Sequence, residues 1–320
     1  MVFKKMLGAF GVGGPSVDTV LSTPAVRPGD LLTGHVELAG GTHDVEIEHV
    51  TLSLVTRVEV EGGDHEHAGT VEFHRTQVAG AMRLAEGQRQ TIPFSLPVPW
   101  ETPITDVYGQ HLHGMTMGVR TELAIARAVD KGDLDPLQVH PLPAQEAVLA
   151  AMARLGFRFH SADLELGHIR GSRQTLPFYQ EIEFYAAPQY AHACSQVEVT
   201  FVTDPHGAQV VLEVDKRGGL FSGGHDVYHS FPVPHAGAAD TDWAQVIDAW
   251  FQQTVLSYGG GHGYGHGPHG YGHEAHHGRG PGMGGIVAGV GAGLVAGYVA
   301  GEVVDEIADE VFEDDGGDED

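Results

Sequence analysis

Histidine carries most of the chemical potential in this chain: 22 of its 320 residues are histidines, and they are unevenly spread. Six lie in the stretch 259–282, GGGHGYGHGPHGYGHEAHHGRGPG, at His262, His266, His269, His273, His276 and His277. Neutral imidazole nitrogens bind Zn, Ni or Cu, which makes these the candidate metal ligands, although so much glycine implies no fixed coordination geometry. The same composition cannot bury a core and reads equally as a flexible linker. Two further pairs, His65 with His67 and His111 with His113, have the spacing that puts both rings on one face of a strand. A third ligand would have to converge on either pair to complete a site, and surface histidines are the plainer reading of both.

Other chemistry is sparse. The chain has no GxSxG nucleophile elbow, no Walker phosphate loop and no CxxC pair, so no catalytic residue and no cofactor are assigned, and the expectation is a protein that is not an enzyme. Asp215-Lys216-Arg217 precedes Gly218-Gly219 and reads as an exposed hairpin with local charge pairing; a polar contact between domains or with a partner is its functional alternative. Cys194 is the single cysteine, which excludes an intramolecular disulfide and fits a reducing, cytoplasmic setting. The N-terminal run MVFKKMLGAFGVGG is too short and glycine-rich for a secretory signal and reads as a mature terminus. A formal net charge of −26, from 43 acidic against 17 basic residues, provides no footprint for nucleic acid and disfavours charge-driven attachment to anionic lipid.

The tail holds a different signal. Gly285, Gly289, Gly293, Gly297 and Gly301 recur at every fourth position, with Ala288, Ala292, Ala296 and Ala300 beside them, a small-residue stripe that lets helix backbones approach closely. The uncharged run 283–300 would be ~27 Å long as a helix, at the margin of what spans a bilayer. Self-association or packing of this tail is expected, with membrane contact as the alternative; the acidic stretch 302–320 closes the chain.

The elements that would position these residues are mostly strands. Residues 16–21, 31–38 and 45–60 are rich in β-branched side chains and bounded by turn clusters. In the last of them the apolar positions run Val45 and Ile47, then Val50, Leu52 and Leu54, so the period slips near Glu48 and His49 and predicts a bulge there. Pro93, Pro97 and Pro99 confine the strand that begins near Gln90 to a sheet edge. Val119, Thr121, Leu123 and Ile125 alternate in a closing strand. Ala144, Val148, Ala151, Met152 and Leu155 then form a helical stripe over 143–155, with Gly156 as its stop. Alternation returns at Phe178, Gln180, Ile182 and Phe184, at Val197, Val199 and Phe201, and at Val210, Leu212 and Val214. A final amphipathic helix over 242–258 carries Trp243, Val246, Ile247, Trp250, Phe251, Thr254 and Val255, with Asp242 and Gln245 placed as a capping box. Short strands without alternating helices favour antiparallel β-sandwiches, two of them in tandem.

Several stretches carry a family resemblance: FKKMLGAFGVGGPSVDTVL, VTLSLVTRV, IPFSLPVPWETPIT, HPL followed by AVLAAMARLGFRF, LPFYQEIEF, and LEVDKRGGLFSG. In order and spacing the chain resembles the bacterial sporulation-control proteins with an arrestin-like fold, over roughly its first 258 residues. The segments HDVEIEH, GGDHEH and DVYGQHLHG depart from that pattern in their histidine content, as does the long tail. The resemblance implies an all-β chain of two tandem arrestin-like sandwiches, 1–140 and 141–258, the second carrying the connecting helix 143–155 and the terminal helix 242–258. The linker 259–282 and the glycine-zipper helix and acidic tail, 283–320, follow. It implies a cytoplasmic, non-catalytic adaptor in sporulation or cell development that binds protein partners, cytoskeletal or cell-division machinery included, and offers no catalytic residues. Against it stand a metal-binding protein acting through the His-rich segments and a tail-anchored, envelope-associated scaffold.

Overall fold

A computed structural model describes residues 13–62, 65–214 and 227–259. Among the described residues the chain is all-β in class, with antiparallel sheets predominating and two α-helices. β1 (Ser16–Leu21), β2 (Ala25–Val26) and β3 (Leu31–Ala39) lead to a long strand, β4 (Val45–Gly62), followed by β5 (His65–Ala79), β6 (Met82–Leu84) and β7 (Arg89–Pro97). After these come β8 (Asp106–Val107), β9 (Gln110–His111), β10 (Met117–Ile125), β11 (Lys131–Pro136) and β12 (Gln138–Val139). Helix α1 (Pro143–Leu155) precedes β13 (Arg158–Leu166), β14 (Phe178–Tyr185), β15 (Gln196–Asp204), β16 (Gly207–Val214), β17 (Val227–Pro234) and helix α2 (Trp243–Gly259).

The arrangement turns on the 18 residues of β4. β5 pairs with it antiparallel from Val50 to Gly62 and β6 from Val45 to Ile47, so these two occupy one edge. A strand has only two edges, so β10, paired from Ile47 to Thr56, and β13, paired in parallel at Glu59 with Glu165, take the other edge in succession. A ten-stranded sheet results, in the order β11-β10-β4-β13-β14-β15-β16-β17 with β5 and β6 also on β4, and it carries strands from both sides of α1. The slip in period at Glu48 is a bulge: Ala124 stands opposite His49 and Ile125 opposite Ile47, leaving Glu48 extra and keeping Ile47, Val50, Leu52 and Leu54 in the core.

A second sheet, β1-β3-β7, contributes Val17, Leu32, Val36, Leu38 and Leu96 to the same core. β7 is an edge strand of this sheet, as its prolines require: Pro93 and Pro97 pair with His35 and Leu31 at positions whose absent N–H would point away from β3.

Both helices lie where the pattern places them. α1 starts with Pro143 at its first turn, and its Gln145 side chain accepts the Leu142 N–H at 2.8 Å. It ends at Gly156, whose left-handed φ of 90° lets its amide reach the Ala153 carbonyl. Ala144, Val148, Leu149, Ala151 and Met152 are buried. α2 docks with Trp243, Ala244, Ile247 and Phe251 buried; Phe251 packs against Phe157 and Tyr190, and the Tyr190 hydroxyl donates to Asp248 at 2.6 Å. Asp242 lies 3.3 Å from Arg154, so its carboxylate ties α2 to α1. Among the described residues no helix is long and apolar enough to cross a membrane. The glycine-zipper residues and the linker histidines lie outside the described residues.

Phe178 is fully buried on β14 and meets Phe73 of β5 edge-on, with ring centroids 5.5 Å apart, across the line where the two parts of the large sheet join. Phe178→Ala is expected to lower unfolding free energy by about 3–5 kcal/mol, read from urea melts followed by tryptophan fluorescence.

Candidate functional site

Apart from Gln180, the inward set on β13 to β16 is apolar: Ala162 and Leu164, then Phe178, Ile182 and Phe184, then Val197 and Val199, then Leu212 and Val214. Period-2 alternation sends their neighbours to the opposite face, and most of those neighbours are acids, Asp163, Glu165, Glu181, Glu183, Glu198 and Glu213 among them. Register places Asp163 opposite Glu181, Glu165 opposite Tyr179, Glu183 opposite Glu198, and Glu198 opposite Glu213. The outcome is a ladder of carboxyl groups across four adjacent strands. One oxygen each from Asp163, Glu165 and Glu181 falls within 4.8 Å of the others, as does one each from Glu181, Glu198 and Glu213. Glu181 belongs to both groups.

Like charges so close cannot all remain ionised. Burial first, and then the fields of Glu198, Asp163, Glu165 and Glu213, push the Glu181 carboxyl up to about 10, so it is neutral at pH 7. Burial, and after it the neighbouring Glu181, Glu165, Glu213 and Glu198, raise the Tyr179 phenol well above its ordinary range. Chemically the ladder stores protons, and its oxygens are of the type and spacing that hard cations such as Ca2+ accept.

A second polar constellation fastens the loop 98–106 between the two parts of the chain. Trp100 lies over Gly29, where a Cβ would come within 2.6 Å of the indole, and it stacks on His235 at 5.4 Å. Glu101 accepts the Thr175 amide at 2.8 Å, the Thr175 hydroxyl at 2.8 Å and the Leu176 amide at 3.0 Å. Buried Gln180 binds the Ile104 backbone in both senses, accepting its N–H at 3.1 Å and donating to its carbonyl at 2.8 Å. Asp106 reaches His140 Nδ1 at 2.6 Å. Glu101, Thr102, Gln145, Gln174, Gln180 and Thr203 line a cavity of about 10 Å3, room for one water and for no organic ligand. This region joins parts of the chain and leaves no space for a substrate.

The residues singled out from sequence fare differently. His111 and His113 are both exposed, and the second uses its backbone carbonyl to accept the Ala162 amide. Among the described residues, the groups able to hold a metal consist of carboxylates and include neither histidine. The side chains of His65 and His67 lie outside the described residues, as do His262, His266, His269, His273, His276, His277, the Asp215–Arg217 triplet, and Gly285, Gly289, Gly293, Gly297 and Gly301. Residues 273–277 also spell the order His-Glu-x-x-His, which holds zinc when it falls on a helix, here between glycines that disfavour one; they too lie outside the described residues. A serine, a histidine and a carboxylate do converge at the bulge in β13: Ser161 Oγ lies 2.7 Å from Glu183 Oε2 and 2.8 Å from His160 Nδ1, which is itself 2.8 Å from Glu183 Oε2. A hydrolytic relay needs hydroxyl and carboxylate on opposite ring nitrogens, and here both meet Nδ1.

Fold and sites together define an all-β protein whose polar groups are spent on a carboxyl ladder and on a joint between its parts. The family model described as SpoOM protein matches residues 3–218, and the chain belongs to that family. It is 34% identical over 216 residues to the sporulation-control protein Spo0M of Bacillus subtilis strain 168, spanning 67% of this chain and 81% of that protein. The crystal structure of Bacillus subtilis Spo0M superposes with a TM-score of 0.67 at 30% identity, covering 76% of this chain and 99% of that one.

Glu181 gives the ladder a measurable signature. A carboxyl raised in the folded state contributes stability that is complete below its unfolded value near 4.5 and is lost as pH rises through about 10. Wild-type melting temperature should therefore decline across pH 5–9, and Glu181→Gln should flatten that decline and melt higher than wild type at pH 8 in a fluorimetric scan. At the joint, Glu101→Ala strips acceptors from two amides and should cost ~1–3 kcal/mol, with faster hydrogen exchange at Thr175 and Leu176.

Proposed function

We propose that this protein regulates sporulation or cell development as a non-catalytic, arrestin-like scaffold, presenting two strand-built lobes to protein partners in the cytoplasm, cytoskeletal or cell-division machinery among them. The observation that carries this reading is its 34% sequence identity to a sporulation-control protein over 216 residues and 81% of that protein's length. Two features of the fold support a binding role. The loop 98–106 pins the parts of the chain together through Trp100, Glu101 and Ile104, which keeps the outer faces in register, as a docking surface requires. The carboxyl ladder gives one face of the large sheet a distinct acidic chemistry that a partner landing there would read. The tail from Gly285 to Gly301 serves assembly or anchoring in this scheme.

The test is deletion in the native host, complemented either by the full chain or by a chain ending at residue 259. Loss should shift the frequency or timing of sporulation or development, and the full chain should restore it. A deletion strain indistinguishable from its parent in sporulation, development and division would remove the proposal.

A further inference from the structure

β1 and β11 terminate different sheets and meet without pairing: β1 pairs with β3, and β11 with β10. The crossing between them is made at Thr19. Its amide donates to Asp133 Oδ2 at 2.6 Å, and its hydroxyl lies 2.6 Å from Thr121 Oγ1. All three residues are buried, with Thr19 at 3% exposure, Asp133 at 7% and Thr121 at 0%. A side-chain carboxylate thus stands where a neighbouring strand would offer a carbonyl.

Asp135 lies two residues further along the same face of β11, in contact with the Asp133 carboxyl. Its Oδ2 is buried, and among the described residues no N–H or O–H donor reaches it. Two carboxyl groups facing each other in this way can bond only if one carries a proton. We infer that a proton shared between Asp135 and Asp133 is a latch that holds β1 against β11, and that the seam between the two sheets loosens as that proton is lost.

The charged surroundings fit a latch of this kind. Asp18 of β1 adds a further negative charge at the seam. β10 presents uncharged Val119 and Thr121 opposite Asp135 and Asp133, and its Arg120 and Glu122 project to the other face. Lys131 shares the face of Asp133 two residues earlier and has an interaction of its own. Burial, followed by the fields of Asp133 and Asp18, pushes Asp135 up to about 8. Once the seam opens, the carboxyl returns to an ordinary value near 4, so closure is strongest below that value, weakens as pH rises toward 8, and changes little above it.

The amide of Thr19 reports the seam directly. In native-state hydrogen exchange, corrected for the intrinsic rate, its protection should fall about tenfold for each pH unit between 5 and 8 and level off beyond. Asp135→Asn, whose amide donates to Asp133 with no proton to lose, should make the profile flat. Glu181→Gln should leave the slope in place, which separates the seam from the ladder. A wild-type profile independent of pH, a slope surviving in Asp135→Asn, or a slope abolished by Glu181→Gln would each overturn the latch.

Discussion

A β-strand has two edges, and β4 must satisfy both along 18 residues. That requirement organises the remainder of the molecule. β5 closes one edge from Val50 to Gly62, so the strands of the first part of the chain and those following α1 have to share the other, β10 as far as Thr56 and β13 at Glu59. The large sheet is therefore continuous across a connection that joins the two parts in sequence only through α1. Both faces of β4 are covered over much of its length, since Thr51, Ser53 and Thr56 are buried along with Leu52, Leu54 and Val55. A break or a charge in this stretch would be felt on both sides.

The parallel contact between Glu59 and Glu165 also sets the height of β13, and β13 sets everything beyond it. Antiparallel register sets Asp163 opposite Glu181, Glu183 opposite Glu198, and Glu198 opposite Glu213. Once the apolar set faces the core, the acids must share the opposite face, because adjacent side chains on a strand alternate. The fold tolerates the crowding by keeping the central acid, Glu181, neutral. The same solution operates at the other end of the sheet, where buried Asp133 and half-buried Asp135 face each other at the edge strand β11. In a chain with a net charge of −26, holding protons inside reduces a repulsion that would otherwise oppose the compact state.

The loop 98–106 makes the complementary contribution. The sheet joins the parts of the chain at a single backbone pairing between β4 and β13, which would leave considerable freedom of rotation if nothing else crossed the line. Trp100, Glu101 and Ile104 supply the cross-braces, using stacking, a carboxylate that collects three hydrogens, and a two-way amide contact with Gln180. The sequence PWETPIT within this loop is one of the stretches that carry the family resemblance, and the structure gives it a mechanical reason. Gly29 has no side chain because the indole lies where one would go.

What could be read from residues alone was whatever local chemistry decides. Alternation located most of the longer strands, the slip at Glu48 announced its bulge, Pro93 and Pro97 marked an edge, and Pro143 with Gly156 bracketed α1, because each of these depends on the backbone of its own segment. The histidine pairs drew notice for their spacing, yet spacing along a chain says nothing about what approaches from another strand. The acids of DLEL, QEIEF, VEV and LEV looked like the ordinary solvent face of separate strands. Only register across four strands turned them into one ladder, and only the meeting of two sheet edges brought Thr19 to Asp133, residues 114 positions apart. Local pattern determines which way a side chain points; which charge it will face is decided by pairing between segments distant in the chain, and that information is not in either segment by itself.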